Sequence, residues 1–294
     1  AFPTVGDLAA ADEADVLRLW EGLGYYRRAR MLHAAAQAVV AEHGGEMPDD
    51  VATLRSLPGV GRYTAGAIVS LAHDRPAPIL EANTIRLFTR LAAYRGKPTS
   101  SAGQRVLWSV AEELVPEDRP GRFNQAVMEL GSLVCTPAAP DCDGCPVGDL
   151  CHANRLGVVG DLGETTKKLT FTAVREAAVV VRRGERVLVR QCEPDERWAG
   201  LWDFPRFPLE AEGPLFARDE IAAKVQDQTG VACDPGALLT TIKHTVTRFR
   251  ITLECYEATA AGGRVRKPAR WVTPAELADL PLSVTGRKLA KRIG

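Results

Sequence analysis

The 294-residue sequence lacks the features that would mark a membrane protein or an exported protein. It contains no apolar run long enough to span a bilayer, and no secretory signal pattern opens it. It also has no net charge, with 37 Lys and Arg residues against 37 Asp and Glu residues, so its composition does not indicate a nucleic-acid partner. Internal repeats and low-complexity tracts are absent as well. These absences predict a globular, cytoplasmic protein without a membrane partner.

What the sequence does contain is a change of pattern near its middle. The first half places apolar residues at helical spacing over 12–20, 29–43 and 101–114. After residue 170 alternation takes over, and it predicts strands at 177–181, 186–190 and 247–258 around one helix at 217–229. The stretch between the halves is rich in glycine and charge, as in a linker. We therefore predict a multidomain fold with an all-α domain at 1–154, a linker at 155–170 and an α+β domain at 171–294.

Four cysteines crowd into 17 residues at the end of the helical half, namely Cys135, Cys142, Cys145 and Cys151. Four thiolates so close in sequence can converge on an iron–sulfur cluster or on a structural zinc ion. Structural zinc favours two paired C-x2-C knuckles, whereas only Cys142 and Cys145 form one here. The spacing therefore favours a cluster, with zinc as the alternative. Disulfides are a weaker alternative, because nothing in the chain indicates secretion.

A glycine turn precedes one of the predicted helices, in the segment Leu57-Pro58-Gly59-Val60-Gly61-Arg62. Pro58 and Gly59 favour a tight turn, and Gly61 lets the backbone come close to a partner. The helix that starts at Arg62 would then direct unsatisfied amides outward, which suits a DNA phosphate. A plain pair of antiparallel helices would explain the same glycines.

Together these motifs resemble the endonuclease III and adenine glycosylase (MutY) superfamily of base-excision enzymes. The 6–2–5 cysteine spacing resembles its [4Fe–4S] loop, and the glycine turn resembles its helix–hairpin–helix. Three further segments are similar to the adenine glycosylases: Trp20-Glu21-Gly22-Leu23-Gly24-Tyr25-Tyr26 with Arg28 and Arg30, Phe123-Asn124-Gln125-Ala126, and Glu129-Leu130-Gly131. The resemblance implies a helix–hairpin–helix fold, a [4Fe–4S] cofactor on the four cysteines, and double-stranded DNA as partner.

The resemblance also implies site residues. Leu23 and Tyr25 would contact DNA, with the Tyr25 ring as a wedge that replaces lost base stacking. Tyr63 stands where glycosylase/lyases carry a lysine, so no Schiff base can form and the enzyme would be monofunctional. Asn83 matches a D-x-N segment, but Glu81 replaces its aspartate, the anion that would stabilise the sugar cation. Alternatively, Glu81 is only a carboxylate placed favourably at a helix start.

The family places its general acid, a glutamate, on a helix before the segment that matches Phe2-Pro3-Thr4. The sequence starts at Ala1, so we expect an N-terminally incomplete member of the family. As printed, the chain should excise adenine inefficiently.

The second half contains Trp198-Ala199-Gly200-Leu201-Trp202-Asp203-Phe204-Pro205, which resembles the start of the Nudix-like domain of adenine glycosylases. Ala223 and Lys224 stand where a Nudix hydrolase needs arginine and catalytic glutamate, so magnesium-dependent hydrolysis is not expected. The resemblance implies a lesion-recognition module instead. Its DNA contacts would come from Thr247 and Arg248, unless these belong to an ordinary amphipathic strand.

We therefore expect a monomeric, nucleoid-associated DNA glycosylase of bacterial type. It would remove adenine paired with 8-oxoguanine or guanine, without lyase activity. Three alternatives remain, namely an endonuclease III-like glycosylase/lyase, a non-catalytic lesion-binding homologue and a Nudix phosphohydrolase.

Overall fold

A computed structural model of the chain describes residues 1–162, 170–210 and 214–293. These residues form two compact units. The helical unit comprises residues 4–9 and 34–162, and the composite unit comprises residues 1–3 and 10–33 together with the described residues from 170 onward. Across the described ranges, no helix combines the length and the apolar character needed to cross a membrane.

Residues 1–162 contain helices and turns but no strand, as predicted. The helices are α1 (Val5–Ala10), α2 (Glu13–Leu19), α3 (Arg27–His43), α4 (Val51–Leu54), α5 (Arg62–His73), α6 (Ala82–Leu91), α7 (Ser101–Leu114), α8 (Pro120–Glu129) and α9 (His152–Arg155). A π-helical turn, Leu130–Val134, continues α8, and short 3-10 turns occupy Gly148–Leu150 and Val159–Asp161. Helix α7 starts where Ser100 accepts a hydrogen bond from the Gly103 amide at 3.1 Å.

Two apolar clusters hold the helical unit together. One joins α6, α7 and α8 through residues such as Leu87, Phe88, Leu107 and Val127. The other joins α4 and α5 to the end of α3 and includes Val39, Leu54, Leu57, Ala65 and Val69. Each fully buried Leu or Phe contributes about 1.5–3 kcal/mol of transfer free energy. These clusters fix the starts of α5 and α6, where the candidate catalytic residues lie.

The composite unit is built on a seven-stranded mixed sheet. Its strands are β1 (Thr172–Arg183), β2 (Arg186–Gln191), β3 (Trp202–Asp203), β4 (Arg206–Pro208), β5 (Val231–Val246), β6 (Phe249–Gly263) and β7 (Ala269–Val272). The main path runs β3-β2-β1-β6-β5, with β4 on β1 and β7 on β2. Only the β1–β6 pair is parallel among these named strands. The helices are α10 (Pro214–Thr229), α11 (Pro274–Asp279) and α12 (Val284–Ile293), so the predicted α+β character is confirmed.

Strand β1 is buried on both faces, which explains its continuous apolar run. Ala177, Val179 and Val181 pack into the cluster that contains Ile221 and Val225 of α10. Ala178 and Val180 face the opposite way, into a cluster with Leu277 of α11 and Leu289 of α12. Side chains alternate between faces along a strand, so one apolar stretch serves two cores.

The predicted strand at 247–258 is wrong at its start. Val246 pairs with Phe249, so Thr247 and Arg248 form the two-residue turn between β5 and β6. Thr247 adopts a positive φ of 49°, which no strand residue uses. Alternation alone could not show where the hairpin turns, because the turn keeps the same polar character as the strand face.

The predicted linker at 155–170 falls partly on residues 163–169, which lie outside the described residues. Its described part begins with the last residue of α9 and includes the 3-10 turn at Val159–Asp161. The boundaries of the two predicted domains stay a prediction.

Candidate active site and cysteine loop

The glycine turn lies between α4 and α5 and leaves the start of α5 open. Gly59 has a φ of 77°, a conformation that favours glycine. Gly61 is the N-cap of α5, with no side-chain cap and an ordinary φ of −87°. A Cβ added at Gly61 would meet no atom within 4 Å. Neither local packing nor backbone conformation requires this glycine, and it leaves the first amides of α5 accessible to an anion.

The side chain of Arg62 is engaged with α7. Its guanidinium stacks on the Trp108 ring, 3.8 Å from the centroid, and bonds to the Glu112 carboxylate. Arg62 could therefore contact DNA through its backbone amide, whereas its guanidinium is already paired with Glu112. That contact stays a prediction.

Close backbone packing brings the start of α5 towards the start of α6. A Cβ at Gly66 would lie 2.2 Å from the Pro78 carbonyl oxygen, so only glycine fits there. Asn124, buried in α8, donates to Ser70 Oγ and to the Ala77 carbonyl oxygen, both at 2.8 Å. The segment that leads into α6 is therefore held against α5 and α8.

Glu81 is the N-cap of α6. Its Oε1 atom accepts hydrogen bonds from the amides of Asn83 at 2.9 Å and Thr84 at 3.0 Å. In return, the Glu81 amide donates to Thr84 Oγ1 at 2.8 Å, which completes a capping box. Within the described part of the chain, Oε2 of Glu81 has no hydrogen-bond partner. Glu81 thus caps the start of α6, as one of the two alternatives from the sequence proposes. This cap involves only one of its two carboxylate oxygens.

Tyr63 lies close enough to Glu81 to feel its charge. Partial burial, and then the Glu81 carboxylate, raise the pKa of the Tyr63 phenol above its ordinary value. The hydroxyl contacts Met128 Sδ at 3.6 Å, and the residue remains 36% exposed. The structure therefore places two predicted catalytic residues, a phenol and a carboxylate, near enough to interact electrostatically.

Asn83, the third predicted catalytic residue, is held by an arginine that the sequence analysis missed. Arg86 Nη2 donates to Asn83 Oδ1 at 3.1 Å, and Arg86 Nε donates to the Cys135 carbonyl oxygen at 2.7 Å. Arg86 also bonds to the carbonyl oxygen of Gly131, whose missing side chain leaves room for Asn83. The three-residue spacing of Asn83 and Arg86, which places them on one helix face, was the available signal.

The four cysteines line one cavity at the end of α6, as the sequence predicts for a shared centre. The other lining residues are mostly apolar, including Leu87, Leu91, Val134, Pro140 and Val147. Burial, and then the neighbouring thiols Cys135, Cys151 and Cys145, raise the pKa of Cys142. Across the described ranges, no three His, Cys, Asp or Glu side chains are placed as ligands of a single metal ion. Four sulfur donors in an apolar cavity suit an iron–sulfur cluster chemically.

Arg90 connects α6 to the cysteine loop and was also missed. It is 3% exposed, and it donates to Cys135 Sγ at 3.2 Å and to the Thr136 carbonyl oxygen at 2.8 Å. Two longer bonds reach the carbonyl oxygens of Pro137 and Leu162. A buried guanidinium with so many hydrogen bonds fixes the loop and places positive charge beside the Cys135 sulfur.

In the composite unit, the segment Trp20–Tyr26 exposes two predicted DNA contacts. Tyr25 is 72% exposed and Leu23 is 63% exposed, whereas Tyr26 is buried. The Arg28 guanidinium lies over the rings of both Tyr25 and Trp20, at 5.6 and 5.5 Å. Of the two adjacent tyrosines, only Tyr25 has a side chain that projects into solvent. Its role as a wedge stays a prediction.

The other predicted contacts, Thr247 and Arg248, form the exposed tip of the β5–β6 hairpin. The Arg248 guanidinium lies 5.3 Å from the centroid of the Phe249 ring. On α10, Lys224 pairs with Glu220 at 2.8 Å. A cation thus occupies the position that the sequence analysis assigned to the catalytic glutamate of Nudix hydrolases.

Two family models match the chain. One describes HhH-GPD superfamily base excision DNA repair proteins and matches residues 1–113, and the other describes the NUDIX domain and matches residues 177–292. Among solved structures, a thermostable thymine-DNA glycosylase is similar at 28% identity, with a TM-score of 0.47, over 52% of this chain and 70% of that one.

Curated adenine DNA glycosylases from several organisms are similar to the chain. The rat protein is 32% identical over 98% of this chain and 65% of its own length. The mouse protein is 42% identical over 70% of this chain and 39% of its own length, so the chain spans only part of these relatives. The protein of Mycolicibacterium smegmatis is 42% identical over 67% of each chain. By these similarities the chain belongs to the adenine DNA glycosylase family.

Proposed function

We propose that the chain excises adenine from duplex DNA, opposite 8-oxoguanine or guanine, by hydrolysing the N-glycosidic bond without lyase chemistry. The observation that carries this proposal is the arrangement at the start of α6. There the Glu81 carboxylate keeps one oxygen unbonded within the described residues and stands beside the neutral phenol of Tyr63. Membership of the adenine DNA glycosylase family names adenine as the base.

The chemistry requires negative charge near the sugar. When the bond between C1′ and the base nitrogen breaks, its electron pair leaves with the base, which also takes a proton, and the sugar becomes cationic. A carboxylate with a free oxygen stabilises that cation electrostatically. Water then adds to C1′ and loses a proton. Glu81 supplies the anion, and the Tyr63 hydroxyl orients a water molecule or a proton near the bond.

The absence of an amine at position 63 supports hydrolysis over elimination. A lyase needs a lysine that attacks C1′ and forms a Schiff base, and a phenol cannot do so. The Tyr63 phenol is neutral at neutral pH, and burial and Glu81 raise its pKa further above the ordinary value of 10.0. Asn83, whose side chain is held by Arg86, is the third residue of the proposed catalytic group, with Glu81 and Tyr63.

DNA binding would use three parts of the chain. The uncapped start of α5 at Gly59 and Gly61 offers amides to a backbone phosphate. Leu23 and Tyr25 supply exposed apolar surface for insertion between bases. The hairpin tip, with Thr247 and Arg248, offers a hydroxyl and a guanidinium that suit the acceptor edge of a guanine.

We also propose that Cys135, Cys142, Cys145 and Cys151 hold a [4Fe–4S] cluster. Support comes from the shared apolar cavity and from the Arg90 guanidinium beside Cys135 Sγ. When bound, the cluster would cross-link a loop that otherwise has little regular structure. Because Arg86 bonds to the Cys135 carbonyl oxygen and to Asn83, this loop also supports the start of α6.

Single-turnover assays on matched duplexes test the proposed function. The 294-residue chain is mixed in excess with duplexes that contain adenine opposite 8-oxoguanine, adenine opposite thymine, or thymine glycol opposite adenine. We expect slow excision from the first duplex alone, and no covalent adduct after borohydride treatment. A borohydride-trapped adduct, or excision of thymine glycol, would overturn the proposal.

A second function, lesion binding without catalysis, is favoured by one observation. Glu81 replaces aspartate, and its Oε1 atom already serves the capping box. A displacement of about 1 Å at a catalytic group can cost roughly a hundredfold in rate. Tight binding to an abasic analogue opposite 8-oxoguanine, with no excision in the assay above, would select this second function.

A further inference from the structure

Within the composite unit, an ion pair joins the Trp20–Tyr26 segment to helix α12. Arg287 of α12 donates from Nε to Glu21 Oε1 at 2.8 Å and from Nη2 to Glu21 Oε2 at 2.9 Å. Both side chains are mostly buried, at 18% and 22% exposure. A two-bond guanidinium–carboxylate pair in partial burial fixes orientation as well as distance.

Arg287 is itself firmly anchored. Its Nη1 and Nη2 atoms also donate to the carbonyl oxygens of Ala278 at 3.0 Å and Leu280 at 2.6 Å, at the end of α11. A longer bond reaches the Leu277 carbonyl oxygen at 3.4 Å. The guanidinium therefore bridges the end of α11 and the Trp20–Tyr26 segment. Its bonds to α11 restrict its motion, so Glu21 pairs with a donor that is held in place.

The Trp20–Tyr26 segment needs such support because its backbone is unusual. Gly22 and Gly24 have φ values of 92° and 67°, and the non-glycine Tyr25 has a φ of 49°. A left-handed conformation is unfavourable for a non-glycine residue and persists only where neighbours impose it. Inside the segment, Trp20 Nε1 donates to the Gly24 carbonyl oxygen at 3.0 Å. Glu21 lies between Trp20 and Gly22 in the sequence.

We propose that Glu21 and Arg287 are positioning residues that hold Leu23 and Tyr25 in a conformation ready to enter DNA. Neither side chain needs to touch the substrate. A preformed wedge avoids the entropy of ordering a loop on binding, so the pair would raise affinity for extruded-base complexes. This inference rests on the proposed function, because it assigns Tyr25 a DNA partner.

The test uses Glu21→Gln, which removes the charge but keeps the size of the side chain and the carbonyl bonds of Arg287. The matched control is Asp279→Asn, because Asp279 forms an exposed ion pair with Arg18 of α2 at 3.4 Å. This pair also joins residues 10–33 to the C-terminal part of the unit, but it does not involve the Tyr25 segment. Thermal unfolding of both variants shows whether the composite unit stays folded.

The first measurement needs no DNA. Amide hydrogen exchange in residues 20–26 should become at least about tenfold faster in Glu21→Gln, because a charge-assisted bond is lost. Exchange should be unchanged in Asp279→Asn. Equal exchange in Glu21→Gln and in the unmodified chain would overturn the positioning role, whatever the chain does on DNA.

The second measurement uses a duplex with an abasic analogue opposite 8-oxoguanine and 2-aminopurine beside the gap. At saturating protein, the unmodified chain should alter 2-aminopurine fluorescence by stacking, and Glu21→Gln should reduce this change and weaken binding by about tenfold. A full fluorescence change in Glu21→Gln overturns the inference. If the unmodified chain does not prefer this duplex to an undamaged one, the proposed function fails, and hydrogen exchange alone decides whether the ion pair orders the segment.

Discussion

Glu81 and Thr84 cap helix α6 reciprocally, since the Thr84 amide donates to Glu81 Oε1 at 3.0 Å and the Glu81 amide donates to Thr84 Oγ1 at 2.8 Å. The hydrogen bonds of a capping box hold the carboxylate in place, so they also fix the position of its second oxygen. The fold thus uses Oε1 to start the helix and leaves Oε2 available for the proposed catalytic role. This division of one side chain lets stability and catalysis be separated by mutation.

Glu81→Gln should preserve folding and remove catalysis. The glutamine Oε1 atom can still accept the two amide bonds, so the free energy of unfolding should change by less than about 1 kcal/mol. The lost charge should lower single-turnover excision by a hundredfold or more. Denaturant unfolding and the adenine assay check both parts. Glu81→Asp is the matched control, because it keeps the charge and restores the carboxylate of the D-x-N segment, and it should excise adenine at least as fast as the unmodified chain.

Gly61→Ala should weaken DNA binding without loss of stability. Its φ of −87° suits alanine, and the added Cβ would meet no protein atom within 4 Å. A bound phosphate, however, would meet the new methyl group, so we expect about a tenfold loss of affinity in fluorescence anisotropy. Gly59→Ala is the contrasting variant, since its φ of 77° should cost about 1–2 kcal/mol of stability. Unchanged affinity in Gly61→Ala would argue against a phosphate at this helix start.

Cys142→Ser should empty the proposed cluster site. The purified chain should contain about four iron and four sulfide ions per molecule, with a broad visible absorbance that the variant loses. Cys192→Ser is the control, because Cys192 is a buried thiol that belongs to the composite unit, whereas the cysteine loop belongs to the helical unit. About one zinc ion per chain, without sulfide, would instead identify a structural zinc site.

The composite unit should lose stability in acid through Glu254. Its carboxylate accepts two bonds from Arg175, at 2.6 and 3.0 Å, and one from the Tyr256 hydroxyl at 2.6 Å. These partners, Arg175 foremost, lower the pKa of Glu254 below its ordinary value of 4.5. The unfolded chain therefore takes up this proton first, so the stabilisation is complete above about pH 4.5 and fades as the pH falls through the lower folded value.

Glu254→Gln should accordingly flatten the acid side of the stability profile. Unfolding can be followed by tryptophan fluorescence, because Trp20, Trp198, Trp202 and Trp271 lie in the composite unit. Glu257→Gln, at an exposed position of the same strand, controls for the loss of one carboxylate. If both variants follow the acid profile of the unmodified chain, Glu254 does not set it.

Local patterns were sufficient to predict several of the regular elements of this chain. Helical periodicity predicted α7 at residues 101–114, and the glycine turn predicted where α5 begins. The four cysteines that the spacing predicts around one metal centre line one cavity, and their role as ligands stays a prediction. Each of these signals lies within a few residues of sequence, where sterics and hydrogen bonding act directly.

The sequence could not show the contacts that join distant segments. Arg86 and Arg90 look like solvated charges on an amphipathic helix, yet both bond to the cysteine loop some 45 residues later. Likewise, Thr247 and Arg248 continue an alternating pattern but form a turn. In each case the tertiary partner decides the role of the side chain, and single-sequence periodicity does not contain that partner.

The composite unit takes residues from both ends of the chain, and this has a consequence for biosynthesis. Val16 and Leu17 of α2 are buried in the structure, and Glu21 can pair with Arg287 only after a further 266 residues have been made. Strand β1 must also wait for β6 before the centre of its sheet can close. During translation, residues 34–162 can fold while residues 10–33 still lack their partners. A ribosome that stalls before residue 287 would therefore carry an ordered helical unit while the apolar side chains of residues 10–33 are still exposed, and such an intermediate suits capture by chaperones.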